Sequence, residues 1–484
     1  MIILYVILGL IGAIFIFAIL RTIFTKKPVI QSSGYKHRVI DKERVTKHLQ
    51  EAVRIPTVTL TDNDLDGSIF YEYQAFLERT YPKVMAVAKK TNINKYAAIY
   101  KVEGSDSSLL PIGVLAHQDV VPAPSEGWTV PPFSGEVLEN CVYGRGSQDM
   151  KSQMIAALEG LEILMEEGFI PARGIYFCFG HDEELKGTEG ALQISKYLES
   201  EGVKFEFVID EGGTVLDGAI LGINNKIALV GTCEKGYADF EIEVAKLGGH
   251  ASTPTSRTAV GKLAEAVYKI EKNKMPLKWN QPTIDMAKAL APHMNPVFKF
   301  MFVNRDLFSP LLLKILSIAN PMTNGLIRTT LAPTQAKGAD APNVLPPKAT
   351  ANINCRINIG ETYEDAQAHI QKVAGKDLKI TMLGGAANPS PVSDITSEAY
   401  STLQRTIFEV FDGFITAPYP FIAASDAKHY YNLTNNVYRF TPFEKTEEDA
   451  NRIHAIDERQ DINELANGTE FFLRLYENAC SAKQ

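Results

Sequence analysis

The chain has 484 residues, 45% of them hydrophobic and 22% charged, and carries a formal net charge of −8. That length exceeds one ordinary core, so two or more domains are expected, and the composition excludes a disordered chain. An acidic balance without a Lys/Arg-rich run excludes a nucleic-acid partner.

Residues 2–20 form an almost unbroken apolar run, followed by Arg21, Lys26, Lys27 and Pro28. As a helix this run spans the roughly 30 Å of a bilayer core. A cleaved signal peptide is the rival, but nothing basic precedes the run and Leu20-Arg21 is a poor cleavage site. We therefore expect an uncleaved single-pass N-terminal anchor. The basic residues on its C-terminal flank place the body on the cytoplasmic face. Cys141, Cys178, Cys233, Cys355 and Cys480 are scattered, several in apolar runs, and read as reduced core cysteines.

A polar linker at 31–37 leads to a helical pattern with Val45, Leu49 and Val53, and then to an amphipathic segment at 69–81. Strands are expected at 84–88 and 97–102. The apolar run 109–115 reads as a buried strand ending in His117-Gln118-Asp119. Extended backbone points His117 and Asp119 the same way, so the carboxylate can hold the imidazole in one tautomer. A structural histidine near a turn fits that segment equally well. Gly144-Arg-Gly-Ser-Gln-Asp149-Met-Lys precedes a helix at 151–167, where Asp149 could be an ordinary N-cap. Strands at 174–180 and 205–209 run into His181-Asp182-Glu183-Glu184 and Asp210-Glu211-Gly-Gly. Each acidic cluster thus lies at the C-terminal end of a strand, the edge where open α/β sheets build their sites, although Glu183-Glu184 alone could be a solvated turn.

From about 229 the pattern changes. Residues 237–244 alternate as a half-exposed antiparallel strand does, and Gly249-His250-Ala-Ser and a helix at 259–272 follow. Residues 292–331 are rich in Phe, Leu, Ile and Met, yet Lys299, Arg305, Asp306 and Lys314 interrupt them too often for a second span. Asn343-Val-Leu-Pro-Pro and an alternating strand at 349–359 with Arg356 close this inserted region.

If His117, Asp149, Glu184 and Asp210 converge with another histidine, Asp119 and Glu183 crowd further carboxylates into the same pocket. Such a set repels itself and would protonate, unless two divalent cations balance it. Histidine and carboxylate donors suit tetrahedral zinc, and paired metals are a hydrolytic arrangement that acidifies water and polarises a carbonyl. Glu183 is then free as general base and acid.

Taken together, His117-Gln-Asp119-Val-Val-Pro, Gly144 to Lys151, Asp182-Glu-Glu184 with Gly187-Thr-x-Gly, Asp210-Glu-Gly-Gly, Gly249-His250-Ala-Ser, Asn343-Val-Leu-Pro-Pro and Ile453-His454-Ala-Ile-Asp-Glu-Arg resemble the dinuclear zinc exopeptidase and aminoacylase family. This family includes carboxypeptidase G, desuccinylase and aminoacylase, and the nearest branch is that of carboxypeptidase S and N-fatty-acyl-amino-acid hydrolase. The resemblance implies an α/β fold: a phosphorylase/hydrolase-like mixed-sheet catalytic domain with an inserted α+β, ferredoxin-like lid. The chain then divides into an anchor (1–24), a linker (25–40), a first catalytic segment (41–228), the lid (229–358) and a second catalytic segment (359–484).

It further implies two Zn2+ per chain, for which Co2+ or Mn2+ can substitute. His117 and Asp210 would bind one, Glu184 and His454 the other, with Asp149 bridging and a cis peptide after it. Asp119 would orient His117, and Glu183 would be the base. In the lid, His250 would stabilise the oxyanion, Asn343 would contact substrate and Arg356 would clamp a carboxylate. A plain surface charge on an edge strand is the other reading of Arg356. His429, in Ser425-Asp-Ala-Lys-His429, is left to the substrate pocket, because the C-terminal ligand matches the His454-x-x-x-Glu458 pattern. His181 reads as structural or supporting, and His37, His48, His293 and His369 as ordinary.

The expected activity is hydrolysis of an N-acyl amino acid, or of the C-terminal residue of a short peptide, with an apolar acyl or side-chain group. A dipeptidase or deacylase for polar substrates is the runner-up, and a non-catalytic membrane-tethered zinc protein the alternative outside enzymes. Expected partners are the substrate, the membrane through the N-terminal helix and, since some relatives pair through the lid, a second copy of the chain.

Overall fold

The computed structural model describes residues 1–27, 34–59 and 67–482. The polar linker expected at 31–37 falls partly outside these residues. The described chain forms two compact units. One comprises Lys27–Thr232, Val392–Tyr419 and Ala424–Gln484; the other comprises Met1–Lys26, Cys233–Pro391 and Pro420–Ala423.

The first unit is built on a mixed sheet. Its central strands, Ile175–Gly180, Ile112–His117, Phe207–Asp210 and Val437–Arg439, run parallel, and Ala97–Val102 with Lys89–Ile93 add an antiparallel edge. Every residue of Ile112–His117 and Ile175–Gly180 is buried, which explains why these strands read as continuous apolar runs and not as alternations. The helices Lys151–Glu166 and Ile462–Cys480 pack together in the core. They approach closely at Gly160, where a Cβ would stand 2.7 Å from the Leu473 amide, so a larger residue would force them apart. The strand expected at 84–88 is instead the helix Pro82–Val87, with proline in its first turn, where the missing N–H costs nothing. Its place in the sheet goes to Lys89–Ile93, which pairs with Ala97–Val102 across a turn in which Asn94 and Lys95 take positive φ.

The second unit holds a four-stranded antiparallel sheet in the order Thr330–Lys337, Lys348–Ile357, Gly236–Ala245, Lys379–Met382. Helices Ala259–Lys272 and Tyr363–Ala374 share its apolar core. Numbered by chain order the strands lie 2-3-1-4, the ferredoxin-like arrangement. Inward residues alternate with outward ones along Gly236–Ala245 and Lys348–Ile357, as one buried face demands. The compact unit that holds this sheet includes Cys233–Pro391, whereas the sequence reading ends the lid at 358. The helix Tyr363–Ala374 looks in sequence like a return to the catalytic fold, but the strand after it pairs Ile380 with Ile242. The edge-strand reading of Arg356 also falls, because its strand lies inside this sheet with neighbours on both sides.

Candidate metal centre and active site

The parallel strands deliver their C-terminal ends to one edge of the sheet, and the acidic segments begin there. His117 is the last residue of its strand and fully buried. Its Nδ1 lies 3.0 Å from the Asp119 carbonyl oxygen and 3.5 Å from the Asp119 carboxylate. With Nδ1 donating there, Nε2 is left as the ligand atom. The Asp119 carboxylate also accepts the backbone amides of Glu183 (3.3 Å) and Glu184 (3.1 Å), so it ties the ligand strand to the segment carrying the acid pair.

Asp149 is not an N-cap. Met150 occupies that position and no side chain caps the helix. The Asp149–Met150 peptide is cis. One Asp149 oxygen lies 3.0 Å from His117 Nε2 and the other 3.1 Å from His454 Nε2, while Glu184 lies 3.1 Å from the same His454 nitrogen. This is the disposition of a carboxylate bridging two sites. His454 itself has φ +61°, a conformation that a non-glycine residue adopts at a cost and that recurs at functional positions.

Asp210 is the residue expected as a ligand at this strand end, and no part was expected of its neighbour Glu211. The two Asp210 oxygens accept the amides of Glu211 (2.9 Å) and Ala427 (2.8 Å). The Glu211 carboxylate stands 3.4 Å from His117 Nε2. Ligand-type atoms of His117, Glu183 and Glu211 lie within 4.8 Å of one another, as do those of His117, Asp149 and Glu184.

The electrostatics fit a doubly charged occupant. Burial opposes a charge on His117, but Asp119, Asp149 and Glu211 outweigh it and raise the imidazole well above its usual range. Asp149 and Glu184 hold His454 up at about 10. Burial, reinforced by Asp149, pushes Glu211 up to about 8, and burial drives Glu183 well above an ordinary carboxyl. Fully buried Asp426, which no sequence motif marks, has neither carboxylate oxygen hydrogen-bonded among the described residues. Its pKa is also raised well, chiefly by burial. Such a pocket suits cations: the carboxylates of Asp119, Asp149, Glu183, Glu184, Asp210, Glu211 and Asp426 outnumber the positive groups His117, His454, Lys428, Lys445 and Arg439 around them.

The loop around the bridge is fixed from beneath. Buried Glu458 accepts the amides of Gln148 (2.8 Å) and Asp149 (3.2 Å) and pairs with Arg145, which stacks 5.5 Å from the Trp128 ring. The spacing of Glu458 from His454 signalled the residue, though not this supporting role. Glu458→Gln keeps the shape but not the charge, and should weaken metal binding about 10–100-fold, as loss of such supporting partners does. Titration with a chelating dye would measure it. Asp182 similarly binds the amides of Glu189 and Gly190, which accounts for the glycine-rich turn after the acid pair. His181 packs edge-on against Tyr96 and Phe70 and is structural. His429 Nε2 lies 3.2 Å from the Lys186 carbonyl oxygen, beside that turn.

The other expected substrate residues belong to the lid. His250 pairs with Val344, and the Asn343 carbonyl accepts the Ala251 amide, so the two motifs form one small ribbon. Arg356 lies 5.1 Å over the Tyr237 ring.

The sequence model of peptidase family M20/M25/M40 matches residues 113–478. An N-fatty-acyl-amino acid synthase/hydrolase of Xenopus tropicalis is 39% identical over 444 residues, covering 91% of this chain and 86% of that one. A carboxypeptidase S-like protein of Dictyostelium discoideum is 35% identical over 486 residues, covering 98% and 93%. Among solved structures, an M20 family metallo-carboxypeptidase from Sulfolobus solfataricus superposes with a TM-score of 0.65 at 16% identity, covering 90% of this chain and 99% of that one. Human carnosine dipeptidase 1 gives 0.64 at 16%, covering 90% and 96%. The chain belongs to the M20 peptidase family and is a metal-dependent hydrolase of amide bonds.

Proposed function

We propose that this enzyme cleaves N-acyl amino acids bearing an apolar acyl group, at a centre holding two zinc ions. The observation that carries the reading is Asp149, whose two oxygens each face a different histidine with Glu183 alongside. His117, Asp149 and Glu211 would hold one ion, and Asp149, Glu184 and His454 the other. When bound, such a pair supplies acidified water and a polarised carbonyl. Glu183 takes the proton from the attacking water and passes it to the departing amine nitrogen. Asp119 holds His117 in its tautomer, and Asp210 fixes the strand end that presents Glu211. His250 and Asn343 serve the oxyanion and the substrate. Arg356 pairs with the carboxylate of the amino-acid product half, which a guanidinium meets with two parallel hydrogen bonds.

The acyl preference is supported by the Xenopus relative, whose name specifies fatty-acyl amino acids. An acyl series from acetyl to long chains on one amino acid tests it. Each methylene buried adds up to about 0.8 kcal/mol, so kcat/KM should climb by up to about fourfold per carbon until the pocket is full. Equal rates for acetyl and long chains would hand the chain to polar substrates. Arg356→Lys should raise KM for carboxylate substrates by about 10-fold or more with a smaller change in kcat, because an ammonium cannot make the paired contact. An unchanged KM would remove Arg356 from the substrate.

The N-terminal helix Ile2–Phe24 is read as a bilayer anchor with the body on the cytoplasmic face. It is 23 residues long, its only basic residue is Arg21 in the last turn, and only Ala18 is buried. All five cysteines are buried and none is in a disulfide, in keeping with a reducing compartment. Protease protection in sealed vesicles would report a body on the opposite face.

A further inference from the structure

The apolar helices inserted in the lid have an unusual problem. Pro296–Val303 contains Val, three Phe and Met but no buried residue, and in Arg305–Ala319 only Leu312 is buried. Leu307, Leu311 and Ile318 are 48%, 52% and 70% exposed. At about 100° per residue these three share one face, and Lys314 falls on it too. Soluble surfaces scatter such residues singly; a stripe beside other exposed apolar groups marks something that covers it.

What adjoins it is the N-terminal helix, which belongs to the same compact unit. Phe300 packs on Phe15 with ring centroids 5.8 Å apart. The Asn304 side chain, 1% exposed, donates to the Ala18 carbonyl (3.1 Å) and the Thr22 hydroxyl (2.9 Å). Arg21 pairs with Asp306 at 3.2 Å. A groove of about 430 Å³ between Leu10, Ala13, Ile14, Phe17 and Leu307 continues the contact further up the helix. A buried amide satisfied by both partners fixes the two elements in register.

That register sets a depth. Arg21 is the first charged residue of the helix, so it marks the membrane surface when the apolar segment spans. Phe15 precedes it by six residues, about 9 Å along the axis at 1.5 Å per residue. Phe300 beside it therefore lies within the 5–10 Å by which interfacial helices sink their apolar faces. Asn304 and the Arg21–Asp306 pair fall at the head-group level, and Lys314, on the same face as Leu311 and Ile318, has a stem long enough to carry its ammonium out toward lipid phosphates.

From this placement we infer that the lid helices Pro296–Val303 and Arg305–Ala319 are themselves embedded in the bilayer surface, docked against the anchor, so that the lid grips the membrane through the Leu307–Leu311–Ile318 face. The inference rests on reading the N-terminal helix as an anchor, and the test separates the two. Since all native cysteines are buried, single cysteines introduced into the full chain accept an environment-sensitive fluorophore selectively. Leu311→Cys and Ile318→Cys report the lid, Leu8→Cys the anchor, and Leu247→Cys, at an 87% exposed position of the same unit, the solvent. In phosphatidylcholine/phosphatidylserine vesicles, the two lid probes should shift to the blue. They should lose most of their emission to nitroxides on lipid acyl chains and resist iodide, while the Leu247 probe behaves oppositely. Lid probes quenched by iodide and not by acyl-chain nitroxides overturn the inference, and so do lid probes shielded from both, which would mean that protein, such as a second copy of the chain, covers the face. A Leu8 probe that fails to reach the nitroxides, or is lost by cleavage, overturns the anchor reading. Lid probes that still reach them then uphold membrane contact by the lid alone.

Discussion

Glu183→Gln is expected to lower kcat by about 10²–10⁴-fold, the share that a positioned acid–base group contributes, with kcat/KM falling in step and KM almost unmoved. The substitution leaves size and hydrogen-bonding reach nearly intact and removes only the ability to accept a proton. Position separates Glu183 from its neighbour, since Glu184 lies 3.1 Å from His454, whereas Glu183 lies with His117 and Glu211. Burial pushes the Glu183 carboxyl up, a shift in the direction that suits a group required to take a proton and release it within one turnover. Metal content should stay at the wild-type level, because no metal is assigned to this residue. Elemental analysis run beside single-turnover kinetics gives both readings. Amide hydrolysis surviving the substitution would sink the assigned mechanism, and loss of metal would make Glu183 a ligand instead.

How legible was this site in the sequence? His117, Asp149, Glu184 and His454 stand in the short motifs that carry the family resemblance, and the structure brings these four together. Glu211 escaped because Asp210 and Glu211 are adjacent carboxylates at the end of one strand. Which of them turns into the pocket depends on the Ala427 amide, which lies 217 residues further along the chain and claims Asp210. Asp426 is a buried carboxylate that no local periodicity separates from a solvated one, and Glu458, though marked by its spacing from His454, gives no sign in sequence of the amides it accepts. The partner of the strand Lys379–Met382 was hidden likewise: a helix before a strand looks the same whichever sheet the strand joins. The packing of Asn304 on Thr22, across 282 residues, could not be foreseen from apolar content alone.

The proposal that Glu211, and not Asp210, holds the metal makes the sharper test. Glu211→Gln should strip one metal from the pair, lowering affinity at that site by at least the about 10–100-fold that loss of a mere supporting group costs. Activity should collapse with it, since Glu211 stands 3.4 Å from the His117 nitrogen that would complete the same site. Asp210→Asn should do something different. Its two oxygens each accept a backbone amide, and an asparagine must turn an N–H toward one of them. An unsatisfied buried donor costs about 1–3 kcal/mol, so Tm should drop while the metal count holds. Stoichiometry by elemental analysis after dialysis, paired with thermal unfolding, reads both variants at once. If Asp210→Asn loses metal and Glu211→Gln keeps it, the ligand is the strand's last residue after all. Each Asp210 oxygen already accepts one backbone N–H, so on loading a cation would have to share that oxygen's remaining lone pair or displace the amide.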